Sequence, residues 1–95
     1  MPQVVARNGS VTAGTGSVLV TDLNPSRVAL NIVNDSDTAV YLALAPEAVI
    51  NQGIRLSATG GSYEINLTNP YYGKIAAIST AATKVLTIME TSYAG

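Results

Sequence analysis

Apolar and polar positions alternate with period two along most of this chain, in short runs separated by clusters of turn-forming residues. The clearest stretch runs from Arg27 to Ala45. Val28, Leu30 and Ile32 fall on one face of an extended strand, and Val40, Leu42 and Leu44 on one face of the next. Between them lie Asn34, Asp35, Ser36 and Asp37, short polar residues that bond their own backbone and accept turn dihedrals. The stretch therefore predicts a β-hairpin.

A second hairpin signal precedes it. Val4 to Arg7 and Ser10 to Ala13 flank Asn8-Gly9, a pair suited to the positive φ angles of a type I′ turn. Gly14 to Gly16 breaks the pattern, Ser17 to Thr21 reads as a strand, and Asp22 to Ser26 is a turn fixed by Pro25. Pro46 to Gly53 fits either one helical turn, with Pro46 at its first position, or a loop. Ile54 to Leu56 and Tyr63 to Leu67 alternate again, on either side of Gly60-Gly61, and Thr68 to Gly73 is a connection. Lys74 to Thr80 and Lys84 to Glu90 are the last strands, joined by a short Ala/Thr turn. No stretch sustains a 3.6-residue period with caps. The expected fold is all-β: an antiparallel β-sandwich or jelly roll of about eight or nine short strands, with little or no helix. Residues 1–95 form a single domain, with 1–16 as an N-terminal arm or hairpin and 91–95 as a C-terminal tail.

Some strands are apolar on both faces. Leu86 and Ile88 oppose Val85 and Met89, strand 28–33 sets Ala29 and Val33 against its main apolar row, and strand 74–79 is similar. A two-layer sandwich has one interior, so the surplus faces call for a cover, and other subunits are the natural candidate. Single Ala and Val residues on an outer face are the plain alternative. Charge content points the same way. Only 12% of residues are charged, about half the usual ~25%, and the net charge is −1, which leaves little to hold copies apart.

The candidate chemistry is sparse. The chain has neither His nor Cys, which excludes Ser-His-Asp and Cys-His catalysis, disulfides and thiolate metal sites; no enzyme activity and no cofactor is expected. The acids are Asp22, Asp35, Asp37, Glu47, Glu64 and Glu90; Glu64 and Glu90 read as outward-facing strand charges. Asp35-Ser-Asp37 lacks calcium-loop spacing and is explained by turn chemistry, so no metal site is expected. Arg7, Arg27, Arg55, Lys74 and Lys84 are dispersed, so nucleic acid is not an expected partner. Neither a membrane-spanning run nor a signal peptide is apparent. The aromatic set is five Tyr with no Phe or Trp. Tyr71 and Tyr72 suit an interface or a sugar, or fold back to cap the sandwich. Tyr41, Tyr71, Tyr72, Val85 and Met89 are the candidate interface residues.

Several local patterns follow one another in a recognisable order: Asn24-Pro-Ser-Arg27 before an apolar strand, Asn34 at its end, Val40-Tyr-Leu42, Gly53-Ile-Arg-Leu56, Gly60-Gly-Ser-Tyr-Glu64 and Tyr72-Gly-Lys-Ile-Ala-Ala77. Over residues 24–90 the chain resembles the small virion proteins of tailed bacteriophages that decorate or cement the capsid. The resemblance implies a β-sandwich or jelly-roll homotrimer on the outer capsid surface. Its partner would be the major capsid protein, and assembly would take place in the bacterial cytoplasm. It also implies no catalytic residues and no cofactor. The alternative is a carbohydrate- or receptor-binding module of a phage tail or fibre, built on Tyr71, Tyr72 and the polar loops.

Overall fold

In the computed structural model, which describes residues 3–94, the alternating runs become eight strands. They are β1 (Gln3–Ala13), β2 (Val18–Thr21), β3 (Arg27–Asn34), β4 (Val40–Ala43), β5 (Ile54–Leu56), β6 (Ser62–Ile65), β7 (Ile75–Ser79) and β8 (Lys84–Ala94). Met1, Pro2 and Gly95, the extremities of the expected arm and tail, lie outside the described residues.

Pairing is antiparallel throughout and nested: β1 with β8, β2 with β7, β3 with β6, β4 with β5. That is one long hairpin with its tip at β4–β5. It is rolled so that β3 also pairs with β8 and β4 with β7. The result is two four-stranded sheets, β1-β8-β3-β6 and β2-β7-β4-β5, the jelly-roll form of the sandwich. Leu30, Ile32, Ile65, Leu86 and Ile88 from the first sheet meet Val40, Leu42, Leu56, Ile75 and Ala77 from the second in a single core.

This nesting overturns the local hairpins. Asn8-Gly9 is no turn: β1 continues through it, with Asn8 opposite Met89 and Gly9 opposite Ile88, and neither residue has a positive φ. An isolated two-stranded hairpin is marginal, whereas β8 offers β1 a partner along its whole length. β3 and β4 lie in different sheets, as do β7 and β8, so the turns between them are crossings. The expected tail is strand as far as Ala94, and residues 46–53 form a loop with a turn at Val49–Gln52 rather than a helical turn.

The side-chain phase of β3 also shifts. A bulge between Arg27 and Ala29 turns Arg27 inward along with Leu30 and Ile32, and leaves Val28 half-buried. All five residues of β7 are buried. Its outer row, Ala76 and Ile78, is covered by Ala48 and Ile50 of the β4–β5 loop, with Tyr41 and Ala43 alongside. Here the expected second subunit is replaced by a segment of the same chain.

Candidate functional site

β1 and β8 each run eleven residues, against eight for β3 and four for β6 in the same sheet. At about 3.4 Å per residue each spans roughly 37 Å. That accounts for most of the 44 Å long axis, against 21 and 20 Å across. One end of this pair belongs to the sandwich, where Val11 with Leu86 and Gly9 with Ile88 face the core. The other end, the ribbon, is flanked by β3 as far as Ser92, so that only the pairs Gln3–Ala94 and Val4–Tyr93 project beyond β3 as two strands, and Gln3 through Ser10 are exposed. It carries Val5 beside Ser92 on the inner face, and Val4 beside Tyr93 on the outer; Val4, Val5 and Tyr93 are all exposed.

The ribbon is anchored by charge. Glu90 shares the phase of Leu86 and Ile88 and is buried, which corrects its reading as an outward-facing charge. Arg27 Nε donates to Glu90 Oε2 at 2.7 Å, Arg7 Nη2 to Oε1 at 3.1 Å, and Thr21 Oγ1 to Oε2 at 3.4 Å. Arg27, with a fully buried side chain, also donates to the carbonyls of Tyr71 (2.9 Å), Gly73 (3.3 Å) and Asp22 (2.9 Å). Two cations and one carboxylate thus tie β1, β2, β3, β8 and two connections together at the root of the ribbon. Burial pushes the Glu90 carboxyl up, but the hydrogen bonds from Arg27 and Arg7 and the charge of Arg27 outweigh it and hold the group below the usual range. A carboxylate fixed in its ionised form, with both oxygens occupied, suits a brace better than a general base. Among the described residues no group of three or more Asp or Glu is placed to hold a metal ion.

A shallow groove of about 400 Å³ opens beside this cluster, between the outer edges of β1 and β2. Arg7, Thr21, Asp22, Asn24 and Glu90 form its polar part, and Leu19 and Leu23, both exposed, its rim.

The residues singled out from the sequence do not form one surface. Val85 and Met89 share the outer face of β8, with Met89 37% exposed. Tyr41 lies on the outside of the opposite sheet, packed on the Ala48–Ala76–Ile78 cluster, and donates to Asn51 Oδ1 at 2.9 Å. Tyr71 packs against the main core and donates to the Lys74 carbonyl at 2.8 Å, so it caps one end of the sandwich. Tyr72 alone of that pair is exposed. Asp37 sits in its turn and accepts from Lys84 Nζ at 2.7 Å; that bond and one from Thr38 hold its carboxyl below the usual range. Arg7, Arg27 and Glu90 escaped the sequence reading, although the period-two phase of β8 already placed Glu90 with the core. The exposed Val4, Val5 and Tyr93 escaped it too, because an Asn-Gly turn and a tail were expected there.

No family model matches the chain, and no curated protein matches it. Among solved structures it is similar to one described as "Bacillus endospore appendages form a novel family of disulfide-linked pili", with a TM-score of 0.60 and 15% identity over 98% of this chain and 89% of that one. At that identity the likeness is one of fold.

Proposed function

We propose that this chain is a non-enzymatic structural protein of a bacteriophage particle. In this reading it is a decoration or cement protein that sits as a homotrimer on the outer capsid, bound to the major capsid protein. The observation that carries the reading is the exposed β1–β8 ribbon, with Val4, Tyr93 and Met89 on its outer face and Val5 on its inner one, braced at its root by a buried Arg27–Glu90 pair. That exposed strand gives a small sandwich a long edge and apolar side chains to lay across neighbouring coat subunits. Its action is mechanical: area buried across a boundary raises the cost of separating the subunits, and no bond is made or broken.

The resemblance to phage virion proteins adds support, since its residues do structural work. Asn24 and Arg27 secure the turn before β3, and Asn34 donates to the Thr38, Leu56 and Ser57 carbonyls. The pilus protein shares the fold, but the disulfides named for it have no counterpart in a chain without cysteine. A sugar-binding tail module has less to rest on, because Tyr71 is spent as a cap and leaves Tyr72 alone.

The test is a quantified gel of purified particles. A band in simple integer ratio to the major coat protein supports decoration. A few copies per particle would move the protein to the tail, and its absence from particles would sink the virion reading.

A further inference from the structure

Each sheet has two outer strands, and the four differ sharply in length. β2, β5 and β6 are edges of three or four residues, too short to template much pairing, whereas β1 presents an edge of eleven. Among the described residues nothing covers that edge along Gln3–Ser10, and it lacks most of the devices that usually block association. It has no internal proline, no lysine and no bulge, and a single charge at Arg7.

We propose that the β1 edge is the binding site for β1 of a second copy, paired antiparallel about a two-fold axis into one eight-stranded sheet. Length supports this occupant: the free edge of β1 is matched by no other exposed strand of the chain, and a copy of itself fits it. Charge and side-chain size then limit the register. A two-fold normal to the sheet requires residues of like phase to face each other, so the residue numbers of each pair sum to an even constant. A sum of fourteen sets Arg7 against Arg7, a like-charge pair that opposes association. A sum of twelve sets Arg7 against the branched Val5, whereas a sum of sixteen sets it against Gly9, which has no side chain to obstruct the guanidinium on its way to Glu90. In the same register Val5 meets Val11 on the inner face, and Asn8 meets Asn8 on the axis. The contact goes beyond the virion reading and stands without it; on a particle it would link neighbouring trimers.

The absence of cysteine allows a clean test on purified protein. Asn8→Cys places two thiols opposite each other at about 5 Å between Cα atoms, within disulfide range, whereas Ala6→Cys holds its thiols about 14 Å apart. Mild oxidation should convert most of the Asn8→Cys protein to a covalent dimer on a non-reducing denaturing gel. The Ala6→Cys protein should dimerise at least tenfold more slowly, and a third variant, Asp35→Cys in the exposed β3–β4 turn, gives the rate of random collision. Equal rates for all three, or an Asn8→Cys protein that stays monomeric, would overturn the pairing. Rapid cross-linking at Ala6 with none at Asn8 would overturn the register, because it places Ala6 rather than Asn8 on the axis. Particle composition plays no part in this measurement, so its failure leaves the decoration reading untouched.

Discussion

Arg27 shows how much one side chain can decide in a domain of this size. Its guanidinium is wholly buried and has four partners, and Glu90 relies chiefly on Arg27, Arg7 and Thr21 to offset the loss of water. Removing Arg27 strands a buried carboxylate, so Arg27→Met should destabilise the fold by about 3–5 kcal/mol. Arg7→Ala removes a partner that is more than half exposed, and should cost about 1 kcal/mol or less. Denaturant titration of the two variants checks that order; equal losses would mean that the ribbon, not the core pair, holds the cluster together. The same carboxylate sets part of the acid limb. Because its native pKa lies below the unfolded value of about 4.3, its contribution is complete at neutral pH and is lost as pH falls below that value. Glu90→Gln should therefore flatten the stability curve below about pH 4 relative to the parent protein. Circular dichroism against pH reads this directly, and an unchanged acid limb would contradict it.

At the scale of elements, strands were legible and their partners were not. Leu30, Ile32, Leu42, Leu86 and Ile88 announce their inward phase in the sequence, because alternation is local. Which strand lies beside which depends on contacts far apart in the chain. Asn8-Gly9 has the right chemistry for a turn, yet the pairing of β1 with β8 overrides it, and the bulge that turns Arg27 inward leaves no local trace. The β4–β5 pair is the one sequential hairpin, and it depends on Gly53. That residue has φ +84°, and a Cβ there would collide with the Leu42 carbonyl oxygen. Gly53→Ala should cost more than about 1 kcal/mol, lowering Tm by at least roughly 4–8 °C in a domain this small. Gly16→Ala, with open space around it and no such φ, should be close to neutral. A Gly53 variant as stable as the Gly16 variant would show that the loop covering Ala76 and Ile78 can be rebuilt without that turn.

The whole molecule is a weakly charged sandwich with an exposed β1 arm along one side, and Arg7, the charged residue of β1, is already committed to Glu90. Docking through such an arm must draw on backbone pairing and apolar contact, and neither is screened by ions. From 0.1 M to 1 M salt the Debye length falls from about 10 Å to 3 Å, which removes most of the attraction between exposed charges. If the ribbon carries the attachment, the amount of protein retained on particles should change little across that range, and sulfate should strengthen it. Val4→Asp should instead weaken retention at every salt concentration, because the pair it forms with Tyr93 loses its apolar character. Sedimentation of particles followed by quantification of the released protein separates these outcomes. Release by salt with no effect of Val4→Asp would shift the attachment to the scattered charges of the sandwich, such as Asp22, Glu64 and Arg55, and leave the arm free to pair with its own kind.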